Sequence, residues 1–176
     1  MTSTAPETPQ GNLSPRSTRR PRAAKPQTGQ HVYAISRYRV MLVKESLAHP
    51  SPVKIMDSQN AYRLLVPLFD GLDREHFLVI GLDAKHAVTG INTVSIGSLT
   101  MSIVHPREVF KPLLLMNASA VLLAHNHPSG DPTPSQEDRA LTRRLKEGGE
   151  LLGITVLDHV VLGGDRYYSF ADHQEL

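Results

Sequence analysis

Two histidines and one aspartate in the second half of the chain are the residues best suited to bind a metal ion. His125 and His127 close an apolar run that starts at Ala120, and Asp138 follows eleven residues after the second histidine. Alternate side chains of a strand share a face, so both imidazoles project together, and Pro128 places them at the strand's end. Two imidazoles and one carboxylate with a fourth position open match the coordination of catalytic zinc.

Each part of this pattern also has a structural explanation. A His-x-His pair by itself can be two polar residues at a strand end. Ser135-x-x-Asp138 is a helix N-cap pattern, in which the serine starts the helix and the aspartate lies one turn in. The joint spacing, with a buried strand leading into a Gly/Pro-rich loop, favours the metal site. Because two imidazoles suit a borderline metal, the prediction is one Zn²⁺ per chain rather than magnesium.

The composition of the chain excludes several classes of protein. The chain has 176 residues, of which 40% are hydrophobic, enough for one ordinary domain with a core and a tail. Cysteine is absent, which excludes disulfides and thiolate metal sites. The apolar runs are too short for a membrane span, and no apolar signal core precedes them, so a cytoplasmic location is predicted.

The charge is concentrated at the N-terminus. Residues 1–30 hold five basic residues and one acid, a net +4, so the rest of the chain carries −2 of the total +2. This segment is rich in Pro, Ser and Thr with little to bury, and we expect a disordered basic leader before a domain at 31–176. One interpretation is that this leader makes weak contact with nucleic acid. The other is that it only increases solubility, or that the start site has been misassigned upstream of the domain.

Hydrophobic periodicity predicts helices and strands in mixed order. Helices are expected from Ser58, as the N-cap, to about Phe69, from Pro106 to about Asn117, and from Ser135 to about Gly148. Strands are expected over about residues 32–44, 76–82, 96–104, 120–127, 154–162 and 167–170, with one more after a turn at 83–86. Without strict βαβ alternation, the predicted class is α/β in the mixed α+β sense.

The motif also resembles a known family. His125-x-His127-Pro128, with Ser135 and Asp138 at this spacing, is similar to the JAMM motif of MPN-domain metallopeptidases. Residues 104–111, 124–132 and 157–159 further resemble the RadC family of bacterial proteins, over roughly residues 32–171. We expect the short form of the family, because the composition of the basic leader is not that of the helix-hairpin-helix-like region of longer members.

The resemblance implies a fold and a reaction. The fold would be a curved mixed sheet flanked by helices, with zinc at a strand end, and the reaction a hydrolysis by metal-activated water. A catalytic glutamate is implied upstream, and the pattern places it at Glu75. The rival is Glu108, whose place in the first turn of a helix is adequately explained by the helix dipole. Ser135 is implied to donate to the developing oxyanion.

Three functions therefore remain as hypotheses. The first is a zinc hydrolase acting on an amide bond of a peptide, an isopeptide or a small molecule, with a peptide or protein as the expected substrate. The second is a DNA-associated accessory protein with a structural or vestigial zinc site, and the third is an amide-binding scaffold that has lost turnover. Asp158 and His159 are further candidates, which either orient a ligand histidine by a hydrogen bond or are polar strand-end residues satisfied by their neighbours.

Overall fold

Five strands and three helices make up the part of the chain that the structure describes. The computed structural model describes Arg39, Leu42–Val43, residues 53–97 and residues 104–176. Its helices are α1 (Ser58–Phe69), α2 (Pro106–Leu115) and α3 (Gln136–Leu152). Its strands are β1 (His76–Leu82), β2 (Val88–Ile96), β3 (Ala120–Asn126), β4 (Thr155–Gly163) and β5 (Arg166–Ser169).

The strands form one mixed sheet in the order β2-β1-β3-β4-β5. Neighbouring strands are antiparallel except β3 and β4, which are parallel and are joined through α3. Parallel strands need such a crossover, whereas antiparallel ones can be joined by a turn. Two apolar clusters cover the two faces, one with α1 and one with α2 and α3. The predicted mixed α/β class is confirmed.

The sequence placed some helix ends wrongly. Asp57, not Ser58, caps α1, because its side chain accepts a hydrogen bond from the Asn60 backbone. α3 runs past Gly148 to Leu152 and ends where Gly153 adopts a left-handed conformation. The helix continues through Gly148 and Gly149 although glycine disfavours helices. Gly149 is required there by close packing, because a Cβ at this position would lie 2.4 Å from the Ile154 carbonyl oxygen.

Other predictions fall on residues outside the described part of the chain. The leader at 1–30 lies wholly outside it. The strand at about 32–44 lies mostly outside it, and Arg39 and Leu42–Val43 are not in a strand. Of the strand at 96–104, Ile96 belongs to β2, Gly97 and Val104 are not in a strand, and residues 98–103 are not described.

β3 is the element that positions the candidate site. All seven of its residues are buried, because β1 and β4 flank it and a helical layer covers each face. Its register places His125 beside Phe77 of β1 and Val161 of β4. A Pro/Gly-containing loop then leads from the end of β3 to α3, so the first turn of that helix returns to the two histidines. In the described ranges, no helix is long and apolar enough to cross a membrane.

Candidate metal centre

His125, His127 and Asp138 come together at the end of β3. The two Nε2 atoms lie 3.0 Å apart. Asp138 Oδ1 lies 3.4 Å from Nε2 of His125, and its Oδ2 lies 3.6 Å from Nε2 of His127. Ligands about 2 Å from a tetrahedral zinc are separated from one another by about 3.3 Å. The three side chains therefore have the spacing that a single metal ion needs.

Asp138 is held in place by the start of α3. Ser135 and Asp138 form a complete capping box: the carboxylate Oδ2 accepts from the Ser135 backbone at 2.7 Å and from its hydroxyl at 2.6 Å. Burial opposes ionisation of this carboxyl, but hydrogen bonds with His125 and His127 hold its pKa well below the ordinary value. The capping and ligand explanations are thus compatible, since the cap engages Oδ2 and leaves Oδ1 beside His125.

His127 is oriented by the loop that follows β3. Its Nδ1 lies 2.7 Å from the backbone oxygen of Asp131, which can only accept, so Nδ1 carries a proton. In the neutral ring, Nε2 is then a bare lone pair. A hydrogen bond with Asp138 raises the pKa of His127 above its ordinary value, although partial burial opposes this.

His125 is oriented from the core through His159 and Thr142. The Thr142 hydroxyl donates to the Asp138 backbone oxygen at 2.6 Å, so it can only accept from His159 Nδ1, also at 2.6 Å. Complete burial lowers the pKa of His159 and keeps that ring neutral. Its Nε2 must then accept from His125 Nδ1, 2.8 Å away. This order of protons leaves His125 Nε2 as a lone pair.

The two proton assignments favour a cation between the histidines. When both rings are neutral, their Nε2 lone pairs and the ionised carboxylate face a common point and repel one another unless a proton or a metal ion lies there. Metal-binding histidines commonly donate their other ring N–H to a protein acceptor, as both do here. The donor set therefore fits a metal ion.

Comparison with known proteins identifies the family of this domain. Residues 55–175 match the RadC-like JAB domain family. The chain belongs to this family. It is 52% identical over 118 residues to a UPF0758 protein of Desulfitobacterium hafniense (strain DSM 10664 / DCB-2), covering 67% of this chain and 52% of that protein. A UPF0758 protein of Methanococcoides burtonii is 50% identical over 119 residues, covering 68% of this chain and 52% of that protein. The chain spans about half the length of these curated relatives.

Of the two candidate glutamates, Glu75 lies near enough to the site for its charge to act on His127, whereas Glu108 belongs to the first turn of α2. The β1–β3 pairing ends at Phe77 and His125, and Glu75 and His127 each lie two residues beyond that last pair. Glu75 is half-buried, and its negative charge contributes to the raised pKa of His127. Glu108 lies exposed in the first turn of α2.

Asp158 has a different setting from His159, because neighbours in a strand point to opposite faces. Its buried carboxylate accepts from the Ser169 hydroxyl and from the Ala171 and His159 backbone, so it secures the C-terminal turn. Burial raises the pKa of this carboxyl, although these bonds oppose the shift. Its bonds do not include a ligand imidazole.

Two side chains of the RadC-like site are missing from the sequence prediction. Thr142 lies four residues after Asp138, on the same face of α3, so helical spacing was a usable signal. Asn126 lies between the two histidines, where strand alternation points it to the opposite face. Its contacts depend on residues about fifty positions away, which the sequence pattern does not reveal.

Proposed function

We propose that this domain is a zinc-dependent hydrolase of the JAMM type, which uses water to cleave an amide bond. The observation that supports it best is the convergence of the Nε2 atoms of His125 and His127 with the Asp138 carboxylate, with Glu75 just before the neighbouring strand β1. Three protein ligands with a further position open are typical of catalytic zinc, whereas structural zinc sites have four protein ligands.

His125, His127 and Asp138 would hold the zinc, which when bound lowers the pKa of a coordinated water to about 7. Glu75 then accepts the proton of the attacking water and delivers it to the leaving amine. It is suited to this role because it lies just before β1, near enough to His127 for its charge to act on that ring, and outside the ligand set.

Ser135 is the proposed donor to the carbonyl oxygen as negative charge develops on it. In the structure its hydroxyl donates to Asp138 Oδ2 and accepts from the Asp138 backbone. The oxyanion role therefore requires the hydroxyl proton to turn from the carboxylate to the substrate. The hydroxyl can do this while still accepting from the backbone, so the helix cap is preserved.

The proposed substrate is a peptide or protein, cleaved at a peptide or isopeptide bond. Specificity depends on the shape of the surrounding loops rather than on the metal ligands. The alternative, a DNA-associated accessory protein, depends on the basic residues at 1–30 and stays a prediction, since they lie outside the described part of the chain.

The deciding experiment compares Glu75→Gln with wild type in zinc-loaded protein on a panel of peptide and isopeptide substrates. We expect one zinc per chain in both proteins, and turnover reduced by at least about 100-fold in the variant, since a general base contributes about 10²–10⁴-fold. Glu108→Gln is the matched control and should retain wild-type turnover. Absence of zinc from metal-replete wild type, or equal turnover in wild type and Glu75→Gln, would contradict the proposal.

A further inference from the structure

Asn126 lies between the two histidines but takes no part in the ligand set. Strand alternation directs its side chain away from the imidazoles, and only 7% of the residue is exposed. Both ends of its amide are used. The Oδ1 atom accepts from the His76 backbone N–H at 2.8 Å, and Nδ2 donates to the Arg74 carbonyl at 3.1 Å.

These two bonds engage the peptide groups on either side of Glu75. The carbonyl of Arg74 belongs to the peptide group before Glu75, and the N–H of His76 belongs to the one after it. The regular β1–β3 register ends at Phe77 and His125, so the amide holds the chain just beyond the last paired residues. On the opposite side, Gly97 donates its backbone N–H to the Glu75 carbonyl at 2.8 Å.

We propose that Asn126 is a positioning residue, which fixes the backbone of Glu75 and thereby the position of its carboxylate near the candidate metal centre. The inference rests on the proposed function, because Glu75 is the proposed general base. Glu75 precedes β1, and its side chain is flexible because it has three rotatable bonds. Any movement of the backbone at Glu75 would therefore displace the carboxylate. A displacement of about 1 Å in a catalytic group can cost about 100-fold in rate.

The amide is well suited to this task. It supplies one donor and one acceptor, and the two backbone groups on either side of Glu75 require one of each. Leucine has a similar shape and neither hydrogen-bonding group. Aspartate keeps the acceptor for the His76 N–H and loses the donor for the Arg74 carbonyl.

The test uses the zinc-loaded full chain, with Asn126→Leu made alone and together with Glu75→Gln. We expect kcat to fall about 10- to 100-fold in Asn126→Leu, while KM and zinc content stay close to wild type. In the Glu75→Gln background the same change should lower the residual kcat by less than about threefold, since a residue that acts through another is non-additive with it. Asn92→Leu, on the exposed face of β2, is the control and should match wild type.

Amide hydrogen exchange gives a readout that does not depend on turnover. The His76 amide should exchange at least about tenfold faster in Asn126→Leu, measured against the Ile80 amide of the same strand. Glu75→Gln and Asn92→Leu should leave His76 exchange unchanged. If the leucine variant fails to fold, Asn126→Asp should keep His76 protected yet lower kcat only when Glu75 is present.

The outcomes separate the two proposals. Wild-type protection of His76 in Asn126→Leu, or an equal loss of kcat with and without Glu75, overturns the positioning role. If zinc-loaded wild type cleaves no substrate in the panel, the proposed function fails. The exchange measurement then still decides whether Asn126 holds the backbone around Glu75.

Discussion

The two histidines of the candidate site are two residues apart but belong to different structural environments. His125 is 1% exposed, lies against the Phe77 ring and is held through His159 and Thr142 by side chains of the core. His127 has a side chain 18% exposed and is held by a backbone oxygen of the loop. One ligand is thus built into the sheet, and the other depends on the loop.

This difference separates the stability of the fold from the assembly of the metal centre. A change on the core side disturbs packed, fully bonded groups, which is costly even without metal. A change on the loop side alters the ligand geometry with little effect on the core. The following predictions test this division, from the largest expected effect to the smallest.

Replacing each histidine by alanine should abolish stoichiometric zinc binding but affect folding unequally. His125→Ala leaves a cavity beside Phe77 and removes the partner of the His159 Nε2. We expect the free energy of unfolding of metal-free protein to fall by about 3 kcal/mol. His127→Ala should cost less than about 1 kcal/mol. Chemical denaturation in the presence of a chelator measures both, and equal losses would contradict the division.

Thr142→Val should weaken zinc binding by about 10- to 100-fold, although Thr142 is not a ligand. Without the hydroxyl, His159 Nδ1 loses its acceptor, and the ring can instead protonate Nε2 and donate to His125. That reversal would place a proton on His125 Nε2, the atom that faces the metal. Imidazole nitrogen NMR reports the tautomer, and zinc competition titration reports the affinity.

The matched variants are Thr142→Ser, which keeps the hydroxyl, and Thr133→Val, which removes an exposed loop hydroxyl bonded to Asp131. Both should bind zinc within about threefold of wild type, because neither alters the Thr142–His159–His125 chain. If Thr142→Val keeps the wild-type tautomer and affinity, the core does not fix the orientation of His125.

The sequence predicted the candidate metal ligands better than it predicted the residues that hold those ligands in place. His125, His127 and Asp138 were visible because strand alternation and helix capping are local patterns. The wider support of the site comes from tertiary contacts: His159 reaches His125 only because β3 and β4 are paired, and Asn126 reaches His76 only across the β1–β3 pair. Likewise, the end of α3 depends on the packing of Gly149 against Ile154, which local propensity does not encode.

Zinc affinity should fall about tenfold per pH unit at pH values below the raised pKa of His127. Binding requires the neutral imidazole, and the hydrogen bond with Asp138 raises the pKa of His127 above 6.5. Asp138 stays ionised there because its own pKa is lowered. In metal-free protein, the stabilisation from this pair is complete below pH 6.5 and is lost as the pH rises through the folded-state pKa. A flat affinity between pH 5.5 and about 7 would contradict this.

Gly163→Ala should have the smallest effect on zinc binding, because it acts on His127 only indirectly, through the loop that follows β3. A Cβ on Gly163 would lie 2.5 Å from the backbone nitrogen of Pro132 and 2.7 Å from the backbone carbon of Asp131, so the loop must shift. That shift moves the Asp131 oxygen that orients His127. We expect zinc affinity to fall by about three- to tenfold and the free energy of unfolding by about 1 kcal/mol.

The control for that change is Gly148→Ala, whose Cβ would meet the side chain of Phe110 at 3.1 Å on the core side. It should alter the free energy of unfolding while leaving zinc affinity at the wild-type value, because Phe110 belongs to the apolar cluster between the sheet and helices α2 and α3. A loss of zinc affinity in Gly148→Ala equal to that in Gly163→Ala would mean that core packing and loop position act on the metal centre together. The difference between the two variants therefore measures how far the loop alone determines the second histidine's geometry.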